Sequence, residues 1–89
     1  MNVSRDVEIV NPLGLHARPA AQLVKLASQY QSEITVSRDG MPINAKSIMG
    51  VMMLAAEQGC TINIAAAGPD AEAAVDALAG LVARGFGEM

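Results

Sequence analysis

The sequence holds very few of the residues on which several common kinds of functional site depend. With one cysteine and one histidine, it offers no disulfide framework and no cysteine-based metal site, so we expect no bound metal. Tryptophan is absent, and the only aromatic residues are Tyr30 and Phe86, too few to form a stacking platform for single-stranded nucleic acid. A net charge of −3 also argues against nucleic acid, because the proteins that bind it carry a basic surface.

Long apolar segments are missing as well. No run approaches the roughly 20 residues of a membrane-spanning helix, and residues 1–6 lack the pattern of a signal peptide. We therefore expect a cytoplasmic protein that does not insert into membranes. Its 89 residues predict a single domain over 1–89.

Hydropathy patterns predict four strands and three helices in the order βαββαβα. Alternation of apolar and polar residues indicates strands over 3–10, 33–37 and 60–66, with a further strand after residue 40. Helical spacing and capping residues indicate helices over 17 to about 29, 48 to about 57, and about 71 to 84. Because each strand has one apolar face, we expect an α+β open-faced β-sandwich. In this fold, a four-stranded antiparallel sheet is covered on one face by three helices.

The middle two strands are predicted to form a hairpin. Asp39-Gly40 is typical of a two-residue type I′ turn. Folding back across this turn pairs Val36 with Ile43 and Ile34 with Ala45, which makes the apolar face continuous over both strands. Pro42 falls on the other face and indicates an edge strand.

The predicted start of the first helix combines choices that are poor for stability. His16 takes the N-cap position, where Ser, Thr, Asp or Asn would satisfy the first N–H groups better. Arg18 places a cation at the positive end of the helix dipole, typically unfavourable by roughly 0.3–1 kcal/mol. Pro19 fits only within the first turn. From residue type alone, a lone histidine is more often a surface or hydrogen-bonded residue than a reactive one.

A bound anion would explain both choices at this helix start. The backbone N–H groups of Ala17 and Arg18 and the guanidinium of Arg18 can bind phosphate oxygens. A neutral imidazole at His16 has a nitrogen that can attack as a nucleophile. We therefore predict a site that accepts and passes on a phosphoryl group.

The second predicted helix offers a different kind of surface. Its N-cap, Ser47, is by itself most simply a capping serine, worth about 1 kcal/mol. The helix is apolar almost all round, although a helix lying on a sheet needs only one buried stripe. A core role for its methionines is one interpretation; the other is an exposed, adaptable docking surface that borders the His16 site. Some of Ile48, Met49, Met52 and Met53 should remain exposed, and the candidate docking residues are Ile48, Met49 and Met52.

Two segments, residues 14–20 and 45–52, together resemble the HPr family, the histidine-containing phosphocarrier proteins of the bacterial phosphotransferase system. The resemblance covers nearly the whole chain. It implies that His16 takes a phosphoryl group on Nδ1 from phosphorylated enzyme I and donates it to IIA domains. Arg18 matches the family's phosphate-stabilising arginine. Ser47 matches the serine that an HPr kinase/phosphorylase modifies in many bacteria.

Two segments depart from the sugar-branch pattern of this family. The loop over residues 11–13 somewhat resembles nitrogen-branch relatives, and residues 87–89 run past the usual acidic end. The branch, the downstream acceptor and the role of the tail therefore stay open.

The sequence supports three hypotheses for the function. The first is a monomeric phosphocarrier that needs no cofactor and is not itself an enzyme, since partner enzymes modify it. The second is a regulatory module that acts through Ser47 and the methionine-rich helix without sugar transport. The third is an α+β domain that binds an anion or another small ligand without covalent change.

Overall fold

The computed structural model describes residues 1–88. The strands are β1 (Asn2–Glu8), β2 (Glu33–Arg38), β3 (Met41–Asn44) and β4 (Thr61–Ala67). The helices are α1 (Ala17–Ala27), α2 (Ile48–Met53) and α3 (Ala71–Ala83), followed by a 3-10 turn at Gly85–Gly87. The order βαββαβα is as predicted. Among the described residues, no helix has the length and apolar character needed to cross a membrane.

The four strands form one sheet in the order β1-β4-β2-β3, and each neighbouring pair is antiparallel. β4 is the last strand in the sequence, yet it lies inside the sheet between β1 and β2. Ile62 of β4 opposes Val7 of β1, and Ile64 opposes Val36 of β2. Because side chains alternate along a strand, Ile62, Ile64 and Ala66 share one face, and all three are buried.

The hairpin between β2 and β3 is confirmed. Asp39 and Gly40 both have positive φ, 54° and 79°, as a type I′ turn requires. Val36 opposes Ile43, and the N–H of Ala45 donates to the carbonyl of Ile34 over 3.0 Å. β3 is an edge strand, which accommodates Pro42.

The helices pack on one face of the sheet, and the core between the two layers is mostly aliphatic. α1 buries Leu23, and α3 buries Val75 and Leu78. The opposite face carries exposed small and polar side chains such as Ser4 and Thr35. The predicted open-faced β-sandwich is therefore the observed fold.

Several element boundaries differ from the prediction, and α2 differs most. It was predicted to continue to about Glu57 but ends at Met53. Ala55 has a φ of 49°, which no helix continues through. The guanidinium of Arg38 donates to the carbonyls of Leu54 and Ala55 over 3.1 and 2.7 Å. Contacts from distant parts of the chain therefore satisfy the carbonyls that a longer helix would have used.

The other boundary differences are small. β1 runs from Asn2 to Glu8 rather than over 3–10, and α1 ends at Ala27 rather than near Gln29. These shifts lie at element ends, where assignments commonly vary by one or two residues.

The residue before α3 fixes the start of β2. The carboxylate of Asp70 makes no capping bond to its own helix. It accepts from the backbone N–H groups of Gln31 and Ser32, each at 2.9 Å, and from the Ser32 hydroxyl. The hydrogen bond from the Ser32 side chain is the main reason that the pKa of Asp70 lies below its ordinary value of 3.8.

Candidate functional site

The loop before α1 is tied to the segment after α2. The N–H of Leu15 donates to the carbonyl of Ala56 over 2.9 Å, and that of Gly14 to the carbonyl of Asn11 over 3.1 Å. Gly14 has a φ of +66°, and a Cβ there would lie 2.4 Å from the Ala56 oxygen. Both the conformation and the space therefore require glycine. This loop leads directly into His16.

His16 is the N-cap of α1, as predicted. Its backbone is extended, with φ −77° and ψ −173°, and its side chain makes no capping hydrogen bond. The N–H of Ala20 donates to the His16 carbonyl over 3.0 Å, so the N–H groups of Ala17 and Arg18 precede the first intrahelical bond. Buried Pro19 has no N–H and fills the first turn. With no acidic residue in that turn, the helix start is suited to an anion.

The imidazole of His16 meets a residue from the far end of the chain. Its Nε2 lies 2.9 Å from Oε2 of Glu88. Gly85 and Phe86 both have positive φ, 64° and 57°, and the buried ring of Phe86 anchors the turn after α3. A carboxylate only accepts hydrogen bonds, so Nε2 of the neutral ring carries the proton and Nδ1 keeps its lone pair.

Asn11 holds the other oxygen of that carboxylate. Its side chain is fully buried, and Nδ2 donates to Oε1 of Glu88 over 2.9 Å and to the carbonyl of Gly14 over 2.8 Å. Its Oδ1 is buried and has no hydrogen-bond partner within residues 1–88. The reverse orientation of the amide would set Oδ1 against two acceptors. The amide orientation is therefore determined, and the two donors converge on the loop and on Glu88.

Arg18 and Glu88 line the same surface depression. This shallow cavity of about 390 Å³ also involves Pro12, Leu13, Phe86 and Gly87. Arg18 is therefore an exposed cation in the first turn of α1, two residues after His16.

Ser47 begins α2 as the predicted cap. Its backbone is extended, and its hydroxyl accepts from the N–H of Gly50 over 3.2 Å. α2 packs against α1. That its exposed residues border the His16 site stays a prediction. The nearest backbone tie to the His16 loop is made by the segment after α2, through Leu15 and Ala56, and not by Ser47.

The outer side of α2 is apolar and open to solvent. The predicted exposure is confirmed: Met49 is 73% exposed and Met53 67%, while only Val51 of this helix is buried. Their role in docking stays a prediction. The exposed apolar residues of α2 are Ile48, Met49, Met52 and Met53.

Neither Asn11 nor Glu88 is predicted as a site residue from the sequence. The buried position of Asn11 depends on a loop conformation that no local pattern specifies. Gly85 and Gly87 signal a turn, yet the direction of that turn depends on how Phe86 packs. Across the described residues 1–88, no group of three or more His, Cys, Asp or Glu side chains could hold a metal ion.

A comparison with known families agrees with this geometry. Residues 3–84 match the family described as the phosphotransferase-system HPr component phosphorylation site. The chain belongs to the HPr family. The phosphocarrier protein HPr of Cupriavidus necator is 51% identical over 86 residues, which cover 97% of each chain.

Solved structures of this family share the fold. A crystal structure of HPr-C-His from Thermoanaerobacter tengcongensis superposes with a TM-score of 0.94 at 46% identity, over 98% of both chains. A crystal structure of an HPr dimer from the same organism superposes with a TM-score of 0.78 at 49% identity, over 92% of this chain and 94% of that one. This chain is therefore similar to HPr phosphocarriers in both sequence and structure.

Proposed function

We propose that His16 accepts a phosphoryl group on Nδ1 from phosphorylated enzyme I and passes it to IIA domains. One observation carries this proposal: His16 caps α1 with its backbone while its imidazole stays uncommitted to capping, and Glu88 engages Nε2. The nitrogen with the free lone pair is then Nδ1. Membership of the HPr family supports the same assignment.

The residues around His16 are suited to phosphoryl transfer. Such transfer requires in-line positioning and stabilisation of charge on the phosphoryl oxygens more than covalent chemistry by the protein. The N–H groups of Ala17 and Arg18 and the Arg18 guanidinium supply that stabilisation, while Pro19 fixes the first turn. Nδ1 forms its bond to phosphorus as the bond to the donor breaks, and the electron pair leaves with the donor. The protein acts as a carrier, and the partner enzymes catalyse the transfers.

A cytoplasmic monomer that meets enzyme I and IIA domains in turn needs a shared docking surface. Exposed methionines suit such a surface because their flexible side chains adapt to several partners. We assign docking to Ile48, Met49 and Met52 of α2. An oligomer that covers these residues would contradict this assignment, and light scattering of the purified protein measures the oligomeric state directly.

Phosphorylation of Ser47 by an HPr kinase/phosphorylase would regulate docking. A phosphoserine adds about −1.5 to −2 charges at neutral pH, here beside the apolar residues of α2. Burial of that charge under a partner would be costly. A Ser47→Ala variant should take up no phosphate from the ATP-dependent kinase.

The decisive experiment is incubation with enzyme I, Mg²⁺ and phosphoenolpyruvate, followed by intact mass and a test of acid lability. We expect acid-labile phosphate on the natural sequence and on the Ser47→Ala control, and none on His16→Ala. Uptake of acid-labile phosphate by His16→Ala at the normal rate would refute the proposal.

The exposed surface of α2 also favours a second candidate, a regulatory binding module without sugar transport. The two functions differ in the fate of the phosphoryl group on His16. A carrier loses its phosphate rapidly to IIA domains. A regulatory module keeps the phosphate and binds its target in a way that depends on Ser47.

A further inference from the structure

The carboxylate of Glu88 links His16 to the buried side chain of Asn11. Oε2 of Glu88 faces Nε2 of His16 at 2.9 Å, and Oε1 accepts from Asn11 at 2.9 Å. Both oxygens of one carboxylate are thereby engaged, one by the imidazole and one by a buried amide. The Glu88 side chain is 19% exposed, so it is held in place more firmly than an ordinary surface glutamate.

The amide that holds Glu88 is itself in a costly position. Asn11 is fully buried, and its Oδ1 has no partner among residues 1–88. Leaving a buried acceptor unpaired is unfavourable, and such departures from local rules are concentrated at functional sites. This orientation of the Asn11 amide directs Nδ2 to Glu88 and to the carbonyl of Gly14, which lies two positions before His16.

We propose that Asn11 and Glu88 form a positioning pair that keeps the proton on Nε2 of His16 throughout the phosphoryl cycle. This inference rests on the proposed phosphorylation of Nδ1. With Nε2 protonated, Nδ1 presents its lone pair to the incoming phosphorus. Neither Asn11 nor Glu88 touches the reacting atom.

The same proton matters when the phosphoryl group leaves. The N–P bond breaks, its electron pair returns to Nδ1, and the ring departs as neutral imidazole because Nε2 still carries its proton. Without that proton the leaving group would be an imidazolate, which is far more basic and a much poorer leaving group. The carboxylate of Glu88 lies beside the positive charge of the phosphorylated ring and so keeps Nε2 protonated, which is the form whose leaving group is neutral imidazole. Glu88 is therefore expected to favour release of the phosphoryl group.

The variant Glu88→Gln keeps the shape of the Glu88 side chain but changes the hydrogen bond that it can make to His16. The glutamine oxygen is needed to accept from Asn11, which turns the amide NH₂ toward Nε2 of His16. The ring must then accept at Nε2 and carry its proton on Nδ1. In Glu88→Ala no such reversal is imposed, and solvent sets the balance of tautomers.

The first measurement uses ¹⁵N NMR of the ring nitrogens in the unphosphorylated protein, where the single histidine gives unambiguous signals. We expect the Nε2–H form to be strongest in the natural sequence, weaker in Glu88→Ala and weakest in Glu88→Gln. Glu72→Gln, the same change at an exposed glutamate in the first turn of α3, should leave the signals unchanged. Identical tautomer populations in all four proteins would overturn the proposal. Because this measurement needs no phosphate, it stands or falls separately from phosphorylation of His16.

The second measurement tracks spontaneous hydrolysis of the phosphorylated proteins at neutral pH. We expect the phosphate on Glu88→Gln and Glu88→Ala to persist about three to five times longer, the size of effect expected for a partly exposed charged contact. Glu72→Gln should match the natural sequence. Equal or faster hydrolysis in the two Glu88 variants would refute the role in phosphoryl release.

Discussion

The Cβ that any other residue would place at Gly14 lies 2.4 Å from the carbonyl oxygen of Ala56. The loop that carries His16 therefore passes so close to the segment after α2 that there is no room for a side chain at this position. This contact joins the loop before the proposed phosphorylation site to the segment that follows the proposed docking helix.

We expect Gly14→Ala to destabilise the protein by more than about 2 kcal/mol, because it adds a clash with backbone to the cost of a positive φ. Gly59→Ala is the matched control. Gly59 also has a positive φ, +91°, but its Cβ would meet nothing within 4 Å, so we expect a loss of only about 1 kcal/mol. Chemical denaturation of both variants measures the difference. Equal losses would show that the close approach is not important for stability.

Arg18 is predicted to favour transfer at the expense of stability. We expect Arg18→Gln to slow phosphoryl uptake from enzyme I by about 10- to 100-fold, since it removes a charged donor to the phosphoryl oxygens. The same variant should be more stable by roughly 0.3–1 kcal/mol, because a cation leaves the positive end of α1. Lys25→Gln removes a cation from the last turn of α1 and should have the opposite effect on stability, with normal uptake. A less stable Arg18→Gln variant would contradict the dipole argument.

Met49 provides the test of the docking surface. It is 73% exposed, so Met49→Glu should change the free energy of unfolding by less than about 0.5 kcal/mol. If α2 docks enzyme I, the buried charge should raise the KM for this protein as substrate by about tenfold or more. Met41→Glu, at an exposed position on β3, serves as the control and should leave KM unchanged. An unaltered KM for Met49→Glu would place the docking surface elsewhere.

Ala55 is predicted to be a site where glycine is better than alanine. Its φ of 49° lies in the left-handed region, which costs a non-glycine residue about 1–2 kcal/mol. Ala55→Gly should therefore stabilise the protein by about 0.5–1 kcal/mol, even after the greater entropy of glycine in the unfolded chain. Ala73→Gly, at an exposed position inside α3, should instead destabilise it by about 1 kcal/mol. Thermal melts of the pair are expected to shift in opposite directions.

Asp70 should contribute to the acid sensitivity of the fold. Hydrogen bonds, that from the Ser32 side chain first, lower the pKa of Asp70 in the folded state below 3.8. Its contribution to stability is thus fully present above the unfolded pKa and is lost as the pH falls through the folded pKa. Asp70→Asn should have a lower free energy of unfolding than the natural sequence at pH 6. The difference in this free energy should become smaller below about pH 3.8. A difference in the free energy of unfolding that does not change with pH would contradict this role.

Local chemistry predicts much of the fold. The turn at Asp39-Gly40, the N-cap at Ser47 and the alternation along β4 each depend on residues within a few positions, and each is confirmed. The end of α2 could not be predicted in this way, because the guanidinium of Arg38, from a distant strand, binds the carbonyls of the two residues that follow the helix.

The same limit applies to the site. The start of α1 at His16 is encoded locally, by a proline in the first turn and by apolar spacing beyond it. The approach of Glu88 depends on two consecutive positive φ values at Gly85 and Phe86 and on burial of the Phe86 ring. The two glycines indicate that the chain turns here, but not in which direction it continues. The contact between Glu88 and His16 is therefore visible only in the structure.

The interior position of β4 has a consequence for how the protein is made. β1 and the β2–β3 hairpin leave the ribosome first, but neither pairs with the other, because β4 lies between them. Until Thr61–Ala67 has been synthesised, the nascent chain holds two separate halves of a sheet, each with an unpaired edge. The sheet is therefore completed only after residue 67 has been synthesised, when β4 pairs with β1 and with β2. A slow codon or a β-breaking substitution within β4 would prolong the interval in which both edges are open to other chains.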